Sequence, residues 1–189
     1  MKKSLVLDLA HMMLSLHVNK DDVVIDATVG NGHDTLFLSR WVKHVYAFDI
    51  QMDAIRHSKT LLDLNHVENV TLIHDSHENM LDHVSDFKGV IFNLGYLPGG
   101  DKSKTTTSDV TIRTIEKILP MLKPDGFIQL VVYPGHAEGY VELQMLEAFL
   151  MTLDTAHHKI VKAYLPYQDN NPPIIFHILK CLDRKKTTP

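Results

Sequence analysis

The chain has 189 residues, with 19 Lys and Arg against 23 Asp and Glu, a formal net charge of −4, 13 His and one Cys. Its length and 44% hydrophobic content suffice for one closed core, and 22% charged residues exclude a disordered or collagen-like chain. At an ordinary imidazole pKa of about 6.5, roughly a quarter of the histidines are protonated at pH 7, so the molecule is near neutral and has no global basic field.

Leu5, Leu9, Met12 and Leu16, spaced four, three and four, predict an opening amphipathic helix, with residues 1–20 packed on the core. Asp8, His11 and His17 interrupt that run, so neither a secretion signal nor a membrane span is expected. Val23, Val24 and Ile25 predict a short strand ending at Asp26. The loop Thr28-Val29-Gly30-Asn31-Gly32 then leads into a helix carrying Leu36, Phe37 and Trp41. Residues 45–48 read as a second strand ending at Asp49, residues 51–64 as a helix, and 70–73 and 89–92 as buried strands. Ile112, Ile115, Leu119 and Leu122 line one face of another helix. Lys123-Pro124-Asp125-Gly126 turns the chain into its most apolar strand, 127–132. A helix over 138–153 precedes strands at 159–165 and 174–181. Cys181, without an internal partner, points to a reducing cytoplasm.

Strands alternating with helices of ten to fifteen residues predict a doubly wound α/β domain over residues 1–189, with a mostly parallel sheet covered on both faces. The last two strands have no helix between them and should form an antiparallel hairpin at one edge. Ligands of such sheets bind at the carboxyl ends of the central strands.

Strand-end Asp26 followed by Gly30-Asn31-Gly32-His33-Asp34-Thr35 is the first chemical signal. Glycines let the backbone approach a ligand closely, and a carboxylate at Asp49, 17 residues beyond Gly32, can hold the two hydroxyls of a ribose. Thr35 replaces the third glycine of a dinucleotide loop, and Asp34 is ill placed beside a diphosphate. Asp26, Asn31 and His33 better suit a zwitterionic amino-acid tail, such as the one S-adenosylmethionine (SAM) joins to ribose and adenine. The competing reading is a plain glycine turn with Asp34 capping the helix. After the third strand, Asp75, Ser76 and His77 are candidates for the adenine; alternatively Ser76 only caps a short helix.

The fourth strand runs into Asn93-Leu94-Gly95-Tyr96-Leu97-Pro98-Gly99-Gly100, which places an amide and an aromatic ring at the mouth of the sheet. The segment is similar to the N-P-P-Y motif of amino-methylating enzymes, with Leu94-Gly95 in place of Pro-Pro. Such a site must align nitrogen, methyl carbon and sulfur, and its amine must arrive uncharged. Tyr133 and His136 follow the next strand; His136 is a candidate proton acceptor or merely a helix-entry residue. Lys102, Lys104, Arg113, Lys117 and Lys123 outnumber Asp101, Asp109 and Glu116, giving residues 99–123 a local basic rim. His157-His158, and the pairs His74 with His77 and His11 with His17, lack the ligand sets of zinc sites, so no metal is expected and these read as surface or packing residues.

With those residues assembled, the chain resembles the class I SAM-dependent methyltransferases, and within them the rRNA-methylase-like group of the MnmM (YtqB) type. The resemblance rests on Asp26-Ala27-Thr28-Val29-Gly30-Asn31-Gly32-His33-Asp34-Thr35 and on residues 93–102, and it covers nearly the whole chain. It implies a seven-stranded Rossmann-like fold and a cytoplasmic tRNA methyltransferase that converts 5-aminomethyl-2-thiouridine at the wobble position of the anticodon stem-loop to its methylaminomethyl form, using SAM and releasing S-adenosylhomocysteine (SAH). Asp26, Thr28, Gly30, Asn31, Gly32, His33, Asp34 and Thr35 are then expected at the methionine end, Asp49 and Gln51 at the ribose, and Asp75, Ser76 and His77 at the adenine. Asn93, Gly95, Tyr96 and His136 are expected at the amine, with Tyr133, Lys102, Lys104 and Arg113 toward the RNA. The length leaves no room for a separate RNA-binding domain, so recognition is expected from the basic rim, from shape around the base, or from the second subunit of a homodimer. A small-molecule N-methyltransferase, an rRNA methyltransferase, a nicotinamide oxidoreductase and a non-catalytic RNA-binding module are the alternatives.

Overall fold

The computed structural model describes residues 4–95 and 108–182. Five β-branched or apolar runs form parallel strands: β1 (Val23–Asp26), β2 (His44–Asp49), β3 (Val70–His74), β4 (Gly89–Leu94) and β5 (Phe127–Val132). With β6 (His158–Ala163) and β7 (Ile174–Lys180) they make a seven-stranded sheet in the order β3-β2-β1-β4-β5-β7-β6. β7 is antiparallel to both of its neighbours, so the hairpin is present, but its second strand inserts beside β5 and leaves β6 at the edge. Tyr167, in the loop that joins the two strands, and Leu182, just after β7, are exposed. Among the described residues no helix is long and apolar enough to cross a membrane.

Helices α1 (Leu5–Ser15), α2 (His33–Ser39) and α3 (Met52–Leu64) cover one face, where Leu14, Leu38 and Ala54 meet Val24, Val45 and Phe127. Helices α4 (Met80–His83), α5 (Ser108–Ile118) and α6 (Ala137–Leu150) cover the other, where Met80, Ile115 and Leu146 meet Ile25, Phe92 and Ile128. Double coverage explains why β5 is buried at every position. β3 departs from the expected buried strand. It is the edge, and each of its residues keeps some exposure.

α1 also departs from expectation. Leu5, Met12 and Leu16 face outward at 65%, 55% and 73% exposure, and the buried stripe is Val6, Ala10 and Leu14. Both stripes have helical spacing, so hydrophobic counting alone cannot choose between them. Polar anchors set the rotation. Gln129, buried in β5, donates from Nε2 to the Ala10 carbonyl at 3.3 Å, and its Oε1 accepts from Nδ1 of buried His177 on β7 at 3.0 Å. A small side chain at position 10 lets the helix backbone come that close.

Candidate functional site

Strand order reverses at β1, whose neighbours are β2 and β4, so a crevice opens at the carboxyl ends of β1 and β4. Asp26 ends β1, and Asn93 lies one residue from the end of β4. Between them runs the glycine loop. Gly30 and Gly32 have φ of 51° and 80°, a left-handed backbone that side chains disfavour. A Cβ on Gly32 would also lie 3.1 Å from the Cα of Ser58. Ser58, buried in α3, donates its hydroxyl to the Gly30 carbonyl at 3.0 Å, and Asp49 Oδ2 accepts from the Gly30 N–H at 3.0 Å. The loop is thereby tied to both α3 and the end of β2. Nothing in the sequence singles out Ser58, because its role exists only once α3 has packed.

Three carboxylates surround this loop. Asp26 is 1% exposed; its Oδ2 accepts from Thr35 Oγ1 at 2.5 Å and its Oδ1 from the Thr28 N–H at 3.2 Å. Burial, then the negative charge of Asp34, push its pKa up to about 7 against the pull of those two donors. Burial also raises Asp49, although its Oδ1 accepts from the Gln51 N–H at 2.9 Å. Asp34 goes the other way. Burial alone would raise it, but donors from His11 and Asn93, together with nearby His33, hold it below the ordinary carboxylate value.

Asn93 is held through both its backbone and its side chain, the latter also sharing a hydrogen bond with the Tyr133 phenol. Its N–H donates to Thr28 Oγ1 at 2.7 Å, and its side-chain Nδ2 donates to Asp34 Oδ2 at 2.8 Å. Beside it the Tyr133 ring packs under Gly95, where a Cβ would stand 3.2 Å from Cδ2 of the ring. Burial, then the charge of Asp34, push the Tyr133 phenol up to about 12, so it keeps its proton. His136 caps α6, accepting from the Gly139 N–H on Nδ1 at 2.9 Å, which is the helix-entry role.

The remaining expected residues fall at varying distance from this network. Asn31 and His33 are exposed at the loop tip, and Gln51 is the N-cap of α3. Ser76 accepts from the Glu78 N–H at 3.2 Å and so caps a short turn. Asp75 is engaged by Asn79 and His83 at 2.9 and 3.0 Å. His77 is 2% exposed, donates Nδ1–H to the Ala27 carbonyl at 3.2 Å and meets Phe92 edge-on. Its ring is thus part of the core behind the loop. Arg113 and Lys117 both lean on Glu78, and Lys123 pairs with Asp86, so the described part of the basic rim is charge-compensated. Tyr96, Lys102 and Lys104 lie outside the described residues. His11, read from sequence as a surface or packing residue, does pack, on Phe37, and also reaches Asp34 Oδ1 at 2.7 Å.

Hydrogen bonds thus link Asp26, Thr28, Thr35, Asn93 and Asp34 in one set and Gly30 with Asp49 in a second, both at the carboxyl ends of β1, β2 and β4, with three carboxylates around a tight glycine loop. Such a cradle suits a ligand bearing positive charge and opposes a diphosphate. Comparison with known proteins agrees with this chemistry. A family model described as "Putative rRNA methylase" matches residues 45–179. The chain is 43% identical to the chloroplastic tRNA (mnm(5)s(2)U34)-methyltransferase of Arabidopsis thaliana over 75% of its own length, and spans 57% of that relative. Its fold is similar to the crystal structure of a "putative rRNA-methylase" from Clostridium thermocellum, with TM-score 0.88 and 37% identity, covering 95% of this chain and 100% of that one. It is similar also to a "putative methyltransferase" from Streptococcus mutans in complex with SAH, with TM-score 0.86 and 35% identity, covering 95% of this chain and 99% of that one. The chain belongs to the "Putative rRNA methylase" family.

Proposed function

We propose that this protein is a SAM-dependent methyltransferase that N-methylates 5-aminomethyl-2-thiouridine at the wobble position of tRNA, within the anticodon stem-loop. The observation that carries the reading is the carboxylate cluster of Asp26, Asp34 and Asp49 around the glycine loop, whose burial and mutual repulsion a cationic ligand relieves. SAM brings an ammonium and a sulfonium, and the Streptococcus mutans neighbour was crystallised with its product SAH. The acceptor follows from the named activity of the Arabidopsis relative.

In this reading Asp26 and the loop 28–35 receive the methionine end, and Asp49 receives the ribose with its free lone pairs. SAM supplies an electrophilic methyl group. Asn93, beside the Gly95–Tyr133 contact, would orient the amine in line with the methyl–sulfur bond that bound SAM would present to it. The amine loses its proton to water or to a neighbouring group. Charge compensation at Arg113, Lys117 and Lys123 favours a second reading, a small free amine as acceptor. That reading predicts turnover of free amines with no competition from tRNA.

Cofactor choice has a direct test. Because the free protein protonates Asp26 near pH 7, SAM affinity measured by calorimetry should fall toward tenfold per pH unit below that point. A diphosphate dinucleotide should show the opposite slope. NADH binding that strengthens on acidification, with no SAM binding, would overturn the assignment.

A further inference from the structure

His11 comes from α1, outside the residues matched by the family model, yet its Nε2 lies 2.7 Å from Asp34 Oδ1. Its ring stacks on Phe37 of α2 with centroids 4.0 Å apart and planes 4° from parallel. Both the helix and the ring are fixed: the adjoining Ala10 carbonyl is held by Gln129. His11 and Asp34 are largely shielded, with side chains 25% and 18% exposed. The other oxygen of Asp34 accepts from Asn93 Nδ2 at 2.8 Å.

We infer that His11 is a positioning residue for methyl transfer, acting through Asp34 to set which way the Asn93 amide faces. This inference rests on the amine-holding role proposed for Asn93. An ionised carboxylate only accepts hydrogen bonds, so Asp34 compels Nδ2 of Asn93 to face it and turns Oδ1 the other way, where it can accept from the N–H of an acceptor amine. His11 donates to the same carboxylate and keeps it in that state and rotamer. Without that donor, Asp34 is free to swing or to take a proton. A protonated Asp34 can donate to Oδ1 of Asn93, and the amide then flips and offers the amine a donor where an acceptor is needed.

Two substitutions separate positioning from packing. His11→Phe keeps a ring against Phe37 and removes the donor; His11→Gln loses the stack and keeps an N–H at similar reach. With labelled SAM and tRNA carrying 5-aminomethyl-2-thiouridine, His11→Phe should lower kcat at saturating SAM about tenfold or more, and His11→Gln should recover most of the loss. The His11→Phe effect should shrink in an Asn93→Ala background, since both act on one group. In ¹H–¹⁵N NMR the Asn93 side-chain amide should exchange about tenfold faster in His11→Phe than in the wild type. Full kcat in His11→Phe, alongside a crippled Asn93→Ala, overturns the inference and leaves the function intact. Full kcat in Asn93→Ala removes the amine-holding role and the inference with it. If the wild type leaves this tRNA unmodified, the function fails by itself, and the NMR comparison decides: unchanged Asn93 exchange in His11→Phe overturns the positioning role, and faster exchange upholds it.

Discussion

At the scale of single residues, the least exposed charge in the site is also the one under most opposing pulls. Asp26 is sealed by Thr35, 0% exposed, whose hydroxyl is the shorter of its two contacts. Thr35→Val removes that donor with little change in shape and should cost about 1–3 kcal/mol. The loss has a pH signature. The Thr35 bond favours the ionised form, so its removal raises the Asp26 pKa further above about 7, and the deficit in Tm should be larger at pH 8 than at pH 6. An equal deficit at both values would mean that Thr35 contributes packing alone. Asp26, Asp49 and the two glycines were legible because strand, loop, helix, strand and acid recur in a fixed order along the chain. Ser58 and His11 were not. Each meets the loop from a helix distant in sequence, 28 and 23 residues from its partner, and no local pattern records such a contact.

Among the elements, α1 is the instructive case. Its two apolar stripes are both helically spaced, and the buried one was decided by Gln129 reaching Ala10. Ala10→Leu should therefore cost about 1–3 kcal/mol by overpacking, whereas Leu5→Ser or Met12→Ser should stay within ~0.5 kcal/mol. Chemical denaturation of the three variants checks the order, and the reverse order would restore the outer stripe as the core face. The same seam titrates. His177 is 1% exposed, and burial first, then His17, hold its pKa down to about 4; burial likewise holds His77 at about 4. Both stay neutral when folded but protonate near 6.5 when unfolded, so their stabilising contribution is complete above pH 6.5 and is lost as pH falls toward 4, by about 3 kcal/mol each. Asp26 works against them, since a raised carboxyl pKa favours the folded state as pH falls through 7. Comparison with His177→Gln isolates one of these contributions: the variant should lose less Tm between pH 6.5 and 4 than the wild type. An identical acid profile would contradict a neutral, buried His177.

For the whole molecule, the period of the apolar pattern was enough to give the strand count, the parallel body and the antiparallel end. The insertion of β7 beside β5 was left open by the hairpin reading, although 159–165 carries two lysines and 174–181 a mostly apolar run; Phe176 and Ile178 reaching the main core settles it. Near-neutral overall charge was read as a limit on how RNA could be held. The ion pairs of Arg113, Lys117 and Lys123 tighten that limit, since the described basic rim offers little uncompensated charge. Among the described residues, the proposed means of selecting an RNA acceptor is then the fit and hydrogen bonding of its target base beside Asn93. The most direct measurement is incubation with methyl-labelled SAM and tRNA bearing 5-aminomethyl-2-thiouridine, followed by nucleoside mass analysis. The wobble uridine should gain one methyl group and fail to gain it in Asn93→Ala; label appearing only in free amines, or in no nucleoside at all, would contradict the proposed function.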